Sequence, residues 1–313
     1  AQIGYPEYPE EVTQYGNSFF FKEGFVFAWT ENLLSEEELI IFRRFTLVLS
    51  LTYRRYLDLK EAEERNKIIQ AENDRKTKEL EEARQLQLSM LPKKLPQLPN
   101  LDIAVYMKTA TEVGGDYYDF NIQENGVLNI GFGDATGHGL QAGTMITLMK
   151  GFFTSDAARF SPPKFLENCN SLIRDIKLGR ILMSFSHLRF ENNSLLMSSA
   201  GMPPIYYHHK INNRTEEIII QGLPLGALQS ASYKLVEKQL NAGDTILLLT
   251  DGLPEQMNSH KVIFDYSRVL KYFDEIADNS PQEIINRLVE KADDWMNGQQ
   301  QTDDITFVVI RAL

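Results

Sequence analysis

The sequence predicts an α+β domain that follows one long helix, and three observations support this fold class. First, no Gly or Pro occurs between Ser35 and Leu91, so nothing interrupts a helix there. Second, the chain beyond residue 93 has apolar or alternating runs of strand length, at 101–107, 127–133, 195–199, 204–208, 244–250 and 305–311. Third, helical patterns are grouped between these runs, which favours two sheets with helices packed outside over a parallel βαβ sheet.

The first 34 residues are rich in aromatic and turn residues. Phe19–Phe21 and Phe25–Phe27 flank Gly24, which predicts two short strands joined by a turn. A two-stranded hairpin cannot bury its aromatic faces alone, so we expect a partner in another chain or in upstream sequence. Because the chain begins with Ala1 and not Met, we expect a piece of a longer protein. Residues 1–57 resemble the C-terminal part of a GAF-like sensor domain, with an unrelated strand-and-helix extension as the alternative.

The long helix has a clear start signal. Ser35 and Glu38 have the spacing of a capping box, and Glu36 and Glu37 suit the positive end of the helix dipole. We expect the helix to end before Pro92. A helix of this length would span roughly 80 Å at about 1.5 Å per residue.

The second half of this helix, residues 58–92, is predicted to be a coiled-coil signalling helix that joins two copies of the chain in a homodimer. Residues at alternating spacings of three and four form a stripe, which is apolar at its ends and polar at Asn66, Asn73 and Lys76. Polar residues at such positions set the register of coiled coils. The alternative interpretation is a solvated single helix.

Residues 93–313 are predicted to form one domain. Its clearest helices run from 140 to 158, from Ser161-Pro162 to about 177, and from 280 to about 297. The second of these places Cys169 on an apolar face. We therefore expect this cysteine to pack in the core and not to act as a nucleophile.

Composition excludes several classes of partner. The net charge of −11 disfavours nucleic acid and anionic membranes. A single cysteine excludes an internal disulfide framework and indicates a reducing compartment, so we predict a cytoplasmic protein. No apolar run approaches the roughly 20 residues that a membrane-spanning helix needs.

Four acidic motifs stand where apolar runs meet small residues, and they contain Asp116, Asp134, Asp251 and the pair Asp303–Asp304. Each aspartate alone is an ordinary turn or cap residue. If the four motifs converged without a cation, each close pair would cost about 4 kcal/mol at an intermediate dielectric. Convergence therefore predicts bound hard cations, and oxygen ligands select Mg²⁺ or Mn²⁺ over Zn²⁺.

The order of these motifs resembles the PPM protein phosphatases, and most of all their bacterial SpoIIE-type and stress-response partner-switching branch. The resemblance extends from about residue 84 to the C-terminus. It rests on the segments GGDYYD at 114–119, GDATGHG at 133–139, AGMPP at 200–204, GLPLG at 222–226, TDGLPE at 250–255 and DDIT at 303–306.

The resemblance implies an αββα sandwich, in which two stacked sheets are flanked by helices. It also implies serine/threonine phosphatase activity with two Mn²⁺ or Mg²⁺ ions, directed at a phosphorylated regulatory protein, a STAS-type anti-sigma-factor antagonist, under control of an upstream sensor. The implied metal-site positions are Asp116, Asp134, the carbonyl of Ala135, Asp251 and Asp303, with Asp304 as a substitute for Asp303. The chain departs from the branch at Met202, where a histidine is common.

His138 is the only histidine within these motifs. Its pKa range suits a general acid that protonates the departing serine or threonine oxygen, with a surface-loop histidine as the alternative. Two other functions are weighed against phosphatase activity. A catalytically silent dimeric module that binds a phosphoprotein would be favoured by loss of a metal-site acid, and none is lost. Phosphodiester or nucleotide hydrolysis would call for a basic or base-stacking pocket, and no basic cluster lies near the motifs.

Overall fold

A computed structural model describes residues 13–110, 113–137, 139–177 and 181–313. The chain divides into two compact units, Ala1–Lys76 and Thr77–Leu313. One helix of 55 residues, α1 (Glu36–Met90), begins in the first unit and ends in the second. Within the described ranges, no helix combines the length and the apolar character that crossing a bilayer requires.

The first unit contains the predicted hairpin, formed by β1 (Tyr15–Phe21) and β2 (Gly24–Thr30). One face packs on α1, where the Phe19 and Phe42 rings stack with centroids 5.0 Å apart. The opposite face is open, and the side chains of Phe20 and Trp29 are 78% and 64% exposed. The hairpin therefore presents aromatic surface that the described residues of its unit, 13–76, leave exposed.

The capping box at the start of α1 is confirmed. The Ser35 backbone N–H and hydroxyl both donate to the Glu38 carboxylate at 2.8 Å, and the Glu38 N–H donates back to the Ser35 hydroxyl at 3.3 Å. The helix is continuous to Met90, as the absence of Gly and Pro predicts. Pairing of this helix with a second copy stays a prediction.

The second unit is an antiparallel two-sheet sandwich. Its strands are β3 (Leu101–Lys108), β4 (Asp116–Ile122), β5 (Leu128–Ala135), β6 (Met183–Glu191), β7 (Ser194–Ala200), β8 (Ile205–His209), β9 (Arg214–Ile218), β10 (Val236–Gln239), β11 (Thr245–Leu249) and β12 (Ile305–Ala312). Its helices after α1 are α2 (Leu140–Asp156), α3 (Pro162–Ile176), α4 (Gly252–Glu255), α5 (Tyr266–Ile276) and α6 (Pro281–Met296). The two sheets have the strand orders β10-β7-β6-β5-β4 and β3-β12-β11-β8-β9.

Three apolar clusters define the layers. The central cluster lies between the sheets and includes Ile130 of β5, Leu248 of β11 and Val308 of β12. A second cluster joins α2 and α3 to the first sheet, and a third joins α5 and α6 to the second sheet. The αββα sandwich implied by the resemblance is thus confirmed. Cys169 is buried in the second cluster, in agreement with the predicted core role.

The last turns of α1 belong to the second unit and pack on it. Leu88 and Leu91 contact the second cluster, and the buried Gln87 side-chain amide donates to the Gly114 carbonyl at 2.9 Å. The second cluster also contains Met149 of α2, so the end of α1 and the apolar face of α2 share one buried cluster.

Candidate metal centre

The sandwich brings the predicted acids to one end of both sheets. Asp116 begins β4 and pairs directly with Asp134 on β5. Asp251 follows β11 and begins α4, and Asp303 and Asp304 immediately precede β12. The first two acids therefore come from one sheet, and the others come from the second sheet.

Asp116 is fully buried and reaches across to the second sheet. Its carboxylate accepts hydrogen bonds from the Thr250 hydroxyl at 2.9 Å and from the Thr306 hydroxyl. Because two hydroxyls hold one oxygen of the carboxylate, its orientation is fixed. Neither threonine was predicted as a site residue from the sequence. Each threonine belongs to an acidic motif, Thr250 directly before Asp251 and Thr306 two residues after Asp304. A hydroxyl residue so close to a predicted metal-site acid is the sequence feature that could have identified them.

The two candidate acids of the last motif have different surroundings. Asp304 is buried, and its carboxylate accepts from the backbone N–H groups of Ala110 at 2.7 Å and Gly115 at 2.6 Å. A third, longer bond comes from the Asp116 N–H at 3.4 Å. Asp304 thus fixes the loop that carries Asp116, and the more exposed Asp303 is the better candidate for a metal ligand.

Oxygen atoms crowd around Gly115. A Cβ atom at this position would lie 2.6 Å from both the Ala135 carbonyl oxygen and an Asp134 carboxylate oxygen, and 3.3 Å from the Gly137 carbonyl oxygen. Only glycine permits this close approach. A carboxylate and two carbonyls are hard oxygen donors, of the kind that Mg²⁺ and Mn²⁺ prefer.

The pKa values of these acids are raised by burial and by electrostatic repulsion between the carboxylates. Burial, followed by the charges of Asp251, Asp303 and Asp304, raises the pKa of Asp134 to about 8. Burial and the charge of Asp303 raise the pKa of Asp251 to about 6. Burial and the Asp134 charge also raise the pKa of Asp116. A cation among these groups would stabilise their ionised forms.

The residues fit a cation that retains water ligands. Among the described residues, no three Asp, Glu, His or Cys side chains form a group able to hold an ion by themselves. Mg²⁺ is usually held by one or two carboxylates together with water and substrate phosphate. The Asp134 carboxylate and the carbonyl oxygens beside Gly115 are protein ligands of the kind that such a partly hydrated ion uses.

The histidines differ in their positions. His138, the predicted general acid, lies outside the described residues. His187 is buried beside Asn129, and burial lowers its pKa to about 3, so it stays neutral. His208 is buried against the Thr215 hydroxyl. We interpret both as buried structural residues, as expected for histidines outside the acidic motifs.

Comparison with known proteins identifies the family and the fold. Residues 124–313 match the family model described as Stage II sporulation protein E (SpoIIE). Phosphoserine phosphatase RsbU from Bacillus subtilis is 27% identical over 240 residues, which cover 74% of this chain and 70% of RsbU. The SiaA-PP2C domain of Pseudomonas aeruginosa superposes with a TM-score of 0.67 at 21% identity, covering 76% of this chain and 98% of that domain.

A second solved structure, RsbX in complex with magnesium, superposes with a TM-score of 0.53 at 17% identity, covering 70% of this chain and 99% of RsbX. The fold is therefore that of a PP2C-type phosphatase domain. The chain belongs to the SpoIIE family.

Proposed function

We propose that this chain is a metal-dependent protein serine/threonine phosphatase that acts on a phosphorylated regulatory protein. The observation that carries the proposal is the convergence of four acidic motifs from two sheets, with pKa values raised by burial and by one another. Family membership and the phosphoserine phosphatase name of the RsbU relative give independent support.

The acids would hold two Mn²⁺ or Mg²⁺ ions. The proposed ligands are the carboxylates of Asp116, Asp134, Asp251 and Asp303 and the carbonyl of Ala135; Asp304 is proposed to hold the loop in place. Such ions, when bound, activate water and stabilise charge on the phosphoryl group. Magnesium in the RsbX structure supports this choice for the fold.

The protein's own groups have separate tasks in this proposal. Thr250 and Thr306 keep the Asp116 carboxylate oriented. His138 is proposed to protonate the oxygen that leaves the phosphoryl group, since histidine titrates near neutral pH. The silent regulatory module gains no support, because every acid of the predicted site is present.

The proposed substrate is an anti-sigma-factor antagonist of the STAS type, in the cytoplasm, and the proposed assembly is a homodimer through the linker helix. The resemblance to partner-switching phosphatases supports the substrate. The open aromatic face of the hairpin supports an additional partner. Residues 1–57 are proposed to be the end of a GAF-like sensor domain.

The end of α1 offers a route from such a sensor to the metal centre. Gln87 contacts Gly114, the neighbour of the glycine around which the carbonyl and carboxylate oxygens gather. A shift of this helix end would move the loop that carries Asp116. We propose that the linker helix controls the centre in this way.

The direct test is manganese-dependent release of phosphate from p-nitrophenyl phosphate. The wild-type chain should show it, and Asp251→Asn should lower the rate by several orders of magnitude, because metals supply much of the rate enhancement. Circular dichroism should show that the variant is folded. Activity that is unchanged in Asp251→Asn, or absent from the wild type at saturating manganese, would contradict the proposal.

A further inference from the structure

A groove adjoins the candidate metal centre. Its volume is about 510 Å³, and Asp134 and Asp251 form part of its wall. The rest of the wall is mainly apolar and includes Met202, Pro203, Pro204 and Ile219. The proposed reaction at the two acids does not itself require this apolar extension.

The AGMPP turn at 200–204 is held rigidly at the groove. The Ser199 hydroxyl accepts the Met202 N–H at 3.3 Å and a hydrogen bond from the Ser186 hydroxyl at 3.0 Å. A Cβ on Gly222 would lie 2.3 Å from the Ser199 carbonyl oxygen, so the GLPLG loop packs directly against the strand before the turn. The AGMPP turn therefore lines the groove, supported by these hydrogen bonds and by the packing of the GLPLG loop on the preceding strand.

The groove has an uncovered apolar side chain and a defined charge. Ile219 is 66% exposed although it lines the groove. The charged side chains among the described lining residues are Asp134, Asp251 and Glu217, and all three are acidic. An occupant with an acidic side chain would be repelled, whereas an apolar side chain would cover Ile219 and Met202.

The identity of the occupant follows from continuity with the metal centre. A phosphoserine whose phosphate lies at Asp134 and Asp251 places its neighbouring residues about 3.8 Å per Cα step away. The groove begins at these same two acids. The side chains next to the phosphoserine are therefore those that enter it.

We propose that Met202 and Ile219 form a specificity subsite for an apolar side chain adjacent to the phosphoserine or phosphothreonine of the substrate. This inference rests on the proposed phosphatase function and adds the local sequence of its substrate.

The test compares two phosphoserine peptides that differ only at the two residues flanking the phosphoserine, which are Leu in one and Ser in the other. Wild-type kcat/KM should favour the Leu peptide by about 10-fold or more, the discrimination expected of a hydrophobic pocket. In Ile219→Ser this preference should fall to less than about 3-fold. A preference that fell equally in a variant remote from the groove would contradict the subsite.

Ile211→Ser is the matched control, because Ile211 is also exposed, at 81%, and stands before β9 as Ile219 stands after it. It should retain the wild-type preference. Equal cleavage of both peptides by the wild type, or cleavage of p-nitrophenyl phosphate but of neither peptide, would overturn the subsite and leave phosphatase activity standing. Lack of manganese-dependent p-nitrophenyl phosphate cleavage would overturn the proposed function, and the subsite with it.

Discussion

Asp116 and Asp134 occupy directly opposing positions on neighbouring strands. Like charges in this arrangement destabilise a sheet unless something compensates for them. Thr250 and Thr306 donate to Asp116, but hydroxyl groups carry no positive charge. The metal-free centre is therefore a local source of instability that a divalent cation would remove.

This instability gives the metal-free protein a pH dependence. The folded-state pKa of Asp134 is raised from 3.8 to about 8 and that of Asp251 to about 6. A raised pKa means that the folded state holds its proton more tightly than the unfolded state. The contribution to stability is complete below about pH 4 and is lost as the pH rises to about 8.

With EDTA present, the stabilising contribution of these two acids should be lost as the pH rises from 5 to 8, and this loss should lower the melting temperature. Manganese should raise the melting temperature, and more so at pH 8, since it binds the ionised acids of the folded state. Differential scanning calorimetry measures both effects. Asp134→Asn should weaken the pH dependence; a metal-free stability that rises steadily over this range in the wild type, with no effect of Asp134→Asn, would contradict the account.

A second prediction concerns the hydroxyl groups that donate to Asp116. Thr306→Val keeps the shape of the side chain and removes its hydrogen bond to Asp116. Manganese affinity should fall about 10-fold or more, the usual effect of removing a group that orients a ligand. Thr245→Val is the control, because Thr245 is buried and its hydroxyl contacts Arg311 and not an acid of the centre. Equal affinities of the two variants would exclude the orienting role.

The acids could be located from the sequence, but which of Asp303 and Asp304 is the metal-ligand candidate and which holds the loop could not. Asp303 and Asp304 are adjacent and chemically identical. Only the fold shows that the backbone N–H groups of Ala110, Gly115 and Asp116 converge on Asp304. Contacts made across nearly 200 positions of sequence leave no local pattern that could have assigned the two roles.

At the scale of elements, the end of α1 is a structural part of the phosphatase domain. Gln87 is buried in contact with the Gly114 carbonyl, and Leu91 is buried in the cluster beneath α2. The linker helix and the loop carrying Asp116 are therefore mechanically connected within one compact unit.

Replacement of Gln87 by Leu should remove this connection. Manganese affinity and turnover should both fall, by about 10-fold, because a buried hydrogen bond that positions the loop is lost. Gln85→Leu is the control on the same helix, since Gln85 is exposed and bonds only to Glu81 among the described contacts. If both variants keep wild-type manganese affinity and turnover, the end of α1 does not influence the metal centre.

Strands with a regular apolar pattern could be predicted, whereas β6, in which polar residues interrupt that pattern, could not. The strands β3, β5, β7, β8, β11 and β12 correspond to the predicted runs. The strand β6 did not stand out because it carries His187 and Arg189 among its apolar residues. Both side chains reach the Asn129 oxygen of β5, at 3.1 and 2.9 Å, and this partner is visible only after the strands are paired.

At the scale of the whole molecule, the two units differ in how well they bury their apolar surface. The sandwich encloses three clusters, whereas the first unit leaves large aromatic side chains on both β2 and α1 exposed, including Trp29, Phe45 and Tyr56. Exposed apolar surface on this scale marks an interaction site.

We therefore predict that the first unit mediates self-association. Light scattering of residues 1–313 should give a dimer, and a chain beginning at Thr77 should be monomeric at the same concentration. Trp29→Ser should weaken the dimer, and Ile211→Ser, a similarly exposed apolar position in the sandwich, should leave it unchanged. A stable monomer of the whole chain would contradict the prediction.

The α+β class followed from periodicity alone, while the stacking of two sheets with outer helices came from the resemblance carried by the acidic motifs. Periodicity shows which face of a strand is buried but not which strands pair. Here β11 lies between β8 and β12, and β12 lies beside β3, some 200 residues away in sequence. The acidic motifs indicate which strands lie close together, because the acids that they contain must converge at one metal site.

The central claim is that the acids form a metal centre, and isothermal titration calorimetry with manganese tests it most directly. We expect two ions per wild-type chain, with proton release, because the raised pKa leaves Asp134 partly protonated near neutral pH. In Asp134→Asn at least one of the ions should be lost. A wild-type chain that binds no manganese, or an Asp134→Asn chain that binds it with unchanged affinity and number, would contradict the account.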